Sequence, residues 1–206
     1  MMTTLTKLFA ATMVLSATSA MADREGIAKL FESSFASEAT NKNDRALKDV
    51  QAILAEDGSN YVAVLRAGWL SYLLGHYGEA ITYYDKASAL APKALEPRLG
   101  AMLPLMAQQK WAAAEKLATA ILKLAPRNYL AASRLAYIHF SMGRYAEAEA
   151  DYKAVLEEYP SDLDMMLGLG WSHIRRGNKP AAKELFERVL LIRRQNASAL
   201  AGLKAL

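Results

Sequence analysis

The sequence repeats itself every 34 residues. Residues 61–94, YVAVLRAGWLSYLLGHYGEAITYYDKASALAPKA, can be laid over 95–128, 129–162 and 163–196 without a gap. A fainter copy, 27–60, precedes them. Position 20 of the unit is alanine in all five copies: Ala46, Ala80, Ala114, Ala148 and Ala182. A fixed period of this length means stacked supersecondary units, each too thin to bury its own apolar face, so it restricts the fold more than any bulk property does.

Each unit reads as two helices. Apolar residues recur three and four apart, as in Leu65, Trp69, Tyr72 and Leu73. Position 15 carries Gly75, Gly143 and Gly177, with Asn41 and Gln109 in the other copies. A glycine there supplies backbone angles that break one helix from the next. Pro92, Pro126 and Pro160 stop the second helices. The alanine at position 20 implies a close helix crossing, where a larger side chain would force the pair apart. Pro180 opens a second helix, where its missing N–H costs nothing. Pro104 lies deep inside a first helix, where proline costs about 3 kcal/mol, and a kink is expected near 100–104.

The unit length, the Gly-x-Tyr turn, the alanine three residues after that tyrosine, the aromatic at position 24 (Tyr84, Tyr152, Phe186) and the closing proline resemble the tetratricopeptide repeat family. Residues 61–94 fit best. Residues 95–128 depart at Met102, and 163–196 end in Arg194 rather than proline. Residues 27–60 keep Ala46 but have lost the glycine, the aromatic and the proline. The resemblance implies an all-α, right-handed superhelical solenoid of antiparallel helix pairs. In that arrangement 23–60 is a degenerate N-terminal pair acting as a cap, 61–196 holds four repeats, and 197–206 is a C-terminal capping helix.

In that family the first helices line the concave face, and positions 2, 5, 9, 12 and 13 point into it. The resemblance therefore places Phe35, Leu65, Trp69, Tyr72, Leu99, Leu103, Met106, Tyr137, Phe140, Leu167 and Trp171 in a partner-binding groove. An apolar, aromatic-rich wall of this kind marks a binding surface, since aromatic anchors dominate interface energetics. Family members that grip an acidic peptide terminus carry Lys and Asn at positions 5 and 9; here those positions are apolar except for Ser133. Arg66 and Arg134, both at position 6, are candidate anion contacts at the groove rim. The groove is expected to take an apolar or helical segment of another envelope protein. The alternatives are a glycan stacked on its aromatics, as polysaccharide export would require, and the chain's own N-terminal helix or a second copy in a homo-oligomer.

Residues 1–22, MMTTLTKLFAATMVLSATSAMA, read in order as one basic residue (Lys7), an apolar stretch and the small-residue site Ala20-Met21-Ala22. That order is a secretory signal peptide, with cleavage expected after Ala22 and a periplasmic or secreted destination. The apolar stretch falls short of the roughly 20 residues that span a bilayer, so no membrane insertion is expected after cleavage. The chain has no cysteine, which excludes disulfides and thiolate metal sites. Its net charge of +4 is too small to point to nucleic acid. Residues 147–164 are rich in acids and 175–194 in bases, which reads as neighbouring solvated faces that attract each other, the alternative being a basic docking patch near the C-terminus.

No catalytic or cofactor motif is present: no Gly-rich phosphate loop, no G-x-S-x-G and no H-E-x-x-H. His139 and His173 share position 11 in successive repeats, and His76 falls in a turn. The pair at position 11 is expected to pack between helices, with no metal and no catalytic role. The expectation is a non-catalytic scaffold without cofactors.

Overall fold

The computed structural model describes residues 24–206. The expected signal peptide and its cleavage site lie outside the described residues. Among those described there are eleven helices and no strand. They form two compact units, one ending at Pro92 and the other spanning Lys93–Leu206.

The first unit contains α1 (24–39), α2 (Asn43–Glu56), α3 (Tyr61–Leu73) and α4 (Tyr77–Leu90). Its core joins Ala46, Leu47, Val50 and Ile53 of α2 to Ala63, Ala67 and Leu70 of α3. The second unit contains α5 (Glu96–Ala107), α6 (Trp111–Leu124), α7 (Tyr129–Ser141), α8 (Tyr145–Glu158), α9 (Leu163–Arg175), α10 (Lys179–Ile192) and α11 (Ala197–Lys204). In it each helix packs on the next, and the alternate helices α5, α7, α9 and α11 also touch in sequence. This is the antiparallel hairpin stacked on its neighbours.

The period acts through identifiable contacts. All five alanines at position 20 are fully buried. Position 15 is left-handed in every copy: φ is 77° at Gly75, 75° at Gly143 and 80° at Gly177, and also 57° at Asn41 and 55° at Gln109. The turn thus keeps its geometry where the glycine has been lost. The aromatics at position 24 press on the backbone of neighbouring first helices. A Cβ at Gly168 would sit 2.3 Å from the Tyr152 ring, and one at Gly202 would sit 2.4 Å from the Phe186 ring.

Position 34 holds a second signal. Asn60, Asn128 and Asn196 accept a hydrogen bond from the backbone N–H three residues on, and Asp162 accepts from Asp164 and Met165. These are N-caps of first helices, each worth about 1 kcal/mol. The remaining one of the five position-34 sites, between residues 61–94 and 95–128, has Ala94 instead. There α5 starts at Glu96, one position later in the unit than α3, α7 and α9, behind Leu95 with no side-chain cap. Pro104 lies inside α5, fully buried, and the helix continues past it to Ala107.

Candidate functional site

In the first unit the expected groove residues surround a buried ion pair. Glu38 of α1 accepts hydrogen bonds from two residues of α3: Arg66 Nη1 at 2.7 Å and the Trp69 indole N–H at 2.7 Å. Arg66 Nε donates to Ser34 Oγ at 2.9 Å, and the Phe35 ring lies 3.6 Å from the guanidinium carbon. Arg66 is only 8% exposed. It is therefore not a contact at the rim for a foreign anion: its charge is spent on Glu38, beneath Phe35. Trp69 stacks at a tilt on Tyr72, with centroids 5.7 Å apart, and both are half-buried, as is Leu65. Phe35 is 54% exposed.

In the second unit, Leu99, Leu103 and Met106 of α5 and Phe140 of α7 are half-buried. Tyr137 of α7 is 49% exposed, its inner edge against Trp111. Trp171 of α9 is half-buried: its indole N–H donates to Ser198 Oγ of α11, and its ring meets that of Phe186 at a steep angle, with centroids 5.6 Å apart. Leu167 does not line a groove. It is buried in the core that α9 shares with α10 and α11, because its turn of helix points at Phe186 and Ala199 rather than at solvent. Arg134 donates from Nη1 to the Leu99 carbonyl at 2.6 Å, which ties α7 to α5. Within each unit the expected groove residues other than Leu167 are thus exposed or half-buried, while both arginines expected at the rim bind their own chain.

Both position-11 histidines are buried. His139 sits between two carboxylates, with Nδ1 2.5 Å from Asp151 and Nε2 3.2 Å from Glu115. Arg144 hydrogen-bonds Glu115 and Glu147, and this holds the Glu115 carboxyl below its ordinary range. Burial pushes the Asp151 carboxyl up, against the pull of His139. His173 lies 3.4 Å from Glu149, which also takes Arg176 and Lys153. Burial lowers the affinity of His173 for a proton. Both ring nitrogens of His139 are occupied by carboxylates, and among the described residues no group of three or more His, Asp and Glu is arranged to hold a metal ion.

A different cleft was not legible as a site. It opens between the C-terminal half of α6, one face of α7 and α8, with a volume of about 310 Å³. Leu122, Leu135 and Val155 form its apolar walls, and Asp151 and Glu158 supply carboxylates. Tyr129 and Tyr159 meet edge to face across its end, with centroids 4.9 Å apart. The Tyr129 hydroxyl donates to Asp162 at 2.5 Å, a bond that raises its pKa to about 12.

The space exists because three side chains are short. Ala132, Asp151 and Ala154 line it, and one repeat later the same positions hold Met166, Leu185 and Arg188. Met166 is buried and Leu185 packs into the core there. Arg188 reaches across to the Pro160 carbonyl at 3.1 Å. The signal available in the sequence was the contrast Ala154 against Arg188 at one register.

Comparison with known proteins bears on the repeat itself. Two family models described as tetratricopeptide repeat match the chain, one over residues 38–94 and 104–162, the other over 139–206. The Arabidopsis thaliana protein described as a CTR9 homolog is 30% identical over 125 residues, which is 60% of this chain and 12% of that protein. The chain therefore spans about an eighth of that relative's length. Among solved structures, a tetratricopeptide repeat protein from Parabacteroides merdae superposes with a TM-score of 0.78 at 17% identity, covering 86% of this chain and 71% of that one. MamA from Desulfovibrio magneticus gives 0.76 at 17%, covering 84% and 97%. YrrB, described as a repeat protein with an unusual peptide-binding site, gives 0.72 at 20%, covering 91% and 97%. With the repeat matched over more than half its length and its helix pairs built as that repeat requires, the chain belongs to the tetratricopeptide repeat family.

Proposed function

We propose that this chain, a protein-interaction scaffold by family, is exported to the cell envelope and holds an apolar helical or extended segment of a partner protein against its first helices. The observation that carries the reading is the exposure of Phe35 and Tyr137 at the same position of their repeats. A large aromatic ring left half in water on a helix whose neighbours are well packed is poised to gain burial on binding. Trp69 and Trp171, at that position in two other repeats, are fixed by hydrogen bonds to the neighbouring first helix. They supply rigid flanks rather than loose anchors, so little ordering is needed when a partner docks. Apolar residues at position 5 in every copy but that of Ser133 disfavour recognition of a peptide carboxylate, and with Arg66 and Arg134 engaged internally, an apolar ligand fits better than an anionic one.

The chain carries no catalytic arrangement in this reading, and repeats of this family generally serve as non-catalytic scaffolds. Export rests on the order of residues 1–22. No described helix is long and apolar enough to cross a membrane.

Site-specific photo-crosslinking tests the proposal. A crosslinking amino acid at Tyr137 is expected to capture a discrete envelope protein, and one at Thr119, exposed on a second helix, is not. Capture from both positions alike would sink the groove reading. Fractionation tests the destination separately: the secreted form should begin at Asp23, and an uncleaved cytosolic chain would remove the envelope from the proposal.

A further inference from the structure

We propose that the cleft between α6, α7 and α8 receives the end of α10, Leu191–Arg194, from a second copy of the chain. This surface is separate from the first-helix groove, and the inference does not depend on that groove's ligand.

Two surfaces within the second unit complement each other. The cleft has apolar walls, an aromatic end, and the carboxylates of Asp151 and Glu158, with Asp162 beside Tyr129. Its one basic lining residue, Arg127, is paired with Glu158, and Asp151 faces His139 at 2.5 Å, so both of these carboxylates already have a partner in the chain and Asp162 supplies the remaining negative charge of the edge. The end of α10 presents the opposite pattern. Leu191 is 84% exposed and Ile192 59%, and they run directly into the exposed Arg193 and Arg194. Two adjacent large aliphatic side chains in water, followed by two cations, form a short segment suited to an apolar slot with an acidic edge.

The exposure of that segment follows from its position in the repeat. Leu191 and Ile192 occupy positions 29 and 30, where Lys123 and Leu124, and Glu157 and Glu158, are exposed as well. These positions face outward on every second helix. Position 29 holds Ala55, Ala89, Lys123 and Glu157 in the other copies, so Leu191 is the exception there; position 30 already holds exposed Leu90 and Leu124 beside Glu56 and Glu158, and Ile192 extends the apolar surface that Leu191 begins.

The cleft is an exception at the same register. Met166, Leu185 and Arg188 fill the corresponding space one repeat later. Cleft and segment thus lie at equivalent ends of α8 and α10, one repeat apart. A two-fold axis passing between these ends would place each copy's segment over the other's cleft, giving a closed pair with the same contact made twice.

Sedimentation velocity and light scattering on the full chain over a concentration series test this. The wild type is expected to show a concentration-dependent dimer. Ala154→Arg places in the cleft the residue that plugs it one repeat later, and is expected to weaken pairing by at least about tenfold. Leu191→Lys with Ile192→Glu should do the same; both residue types already stand at these positions in other repeats, so the fold tolerates them and thermal unfolding should be unchanged. Mixing the two variants leaves one intact cleft facing one intact segment, and association should return, weaker than the wild type and tighter than either variant alone. A wild type that stays monomeric at the highest concentration reached overturns the proposal. So does a dimer indifferent to both variants, or a mixture that does not pair. A monomeric wild type that captures another protein through the cleft, and loses it with Ala154→Arg, also overturns it and assigns the cleft to a foreign basic segment.

Discussion

Arg66 of α3 and Glu38 of α1 form an ion pair, Nη1 to Oε2 at 2.7 Å, that lies beneath the Phe35 ring and also anchors the Trp69 indole. A single carboxylate therefore meets a buried guanidinium and an aromatic N–H at once, while Arg66 Nη2 is left buried without a hydrogen-bond partner. The pair joins α1, in the copy with the weakest repeat signature, to the best-matching repeat. Removing one partner of such a pair is more damaging than its net contribution suggests, because the other charge stays in a poorly hydrated place.

Glu38→Ala is accordingly expected to lower unfolding free energy by about 3 kcal/mol, with Glu38→Gln losing less because it keeps an acceptor for Trp69. Urea unfolding followed by tryptophan fluorescence reads this. Equal, small losses in the two variants would mean the pair is well solvated.

Gln109 holds the left-handed turn at φ 55° without being a glycine. The strain on an L-residue there is relieved by Gln109→Gly, which is expected to stabilise the chain by about 1 kcal/mol after the added freedom of the unfolded state is offset. The same change at an exposed helical site, such as Lys116, should destabilise by about 1 kcal/mol.

Gly168 faces the Tyr152 ring and Gly202 faces the Phe186 ring so closely that a methyl group overlaps the ring in each case. Gly168→Ala and Gly202→Ala should each cost about 1–3 kcal/mol. Gly68→Ala, where the Cβ meets Tyr84 at 3.0 Å, should cost less. Calorimetric melting of the three variants gives the order directly, and Gly68→Ala being the worst would contradict it.

His173 is buried, and its proton affinity is lowered chiefly by that burial, against the attraction of Glu149. The unfolded chain therefore takes up the proton at a higher pH than the folded one. Stability is full above the ordinary imidazole range and is lost as pH falls through it toward the lower folded value. Between pH 8 and pH 6 the wild type should lose more stability than His173→Gln, measured by urea midpoints at each pH. Parallel profiles would show that the histidine is ionised at no cost in the fold.

The helix pairs were legible because their signals are local and repeated. Position 20 needs a methyl group and position 15 needs a left-handed backbone, and both demands recur in every copy. The fates of Arg66 and Leu167 were not legible, because each is decided by what a neighbouring helix offers. Glu38 and Ser34 draw Arg66 inward, and Phe186 with Ala199 closes over Leu167. The N-caps at position 34 were visible as Asn60, Asn128, Asp162 and Asn196 but carried no weight without the helix starts beside them. The cleft is hardest to see in advance, since it depends on what is missing from three positions on two helices.

That cleft has a consequence for how such a chain can be rewritten. Its backbone frame recurs one module further along, where Met166, Leu185 and Arg188 fill the space and Leu163 and Arg193 stand in place of the two tyrosines. Exchanging the three that fill it for the Ala, Asp and Ala found at the earlier register should excavate a second hollow beside the original. Recognition in this molecule is in that sense an address written in side-chain size, movable along the array while the scaffold underneath stays the same.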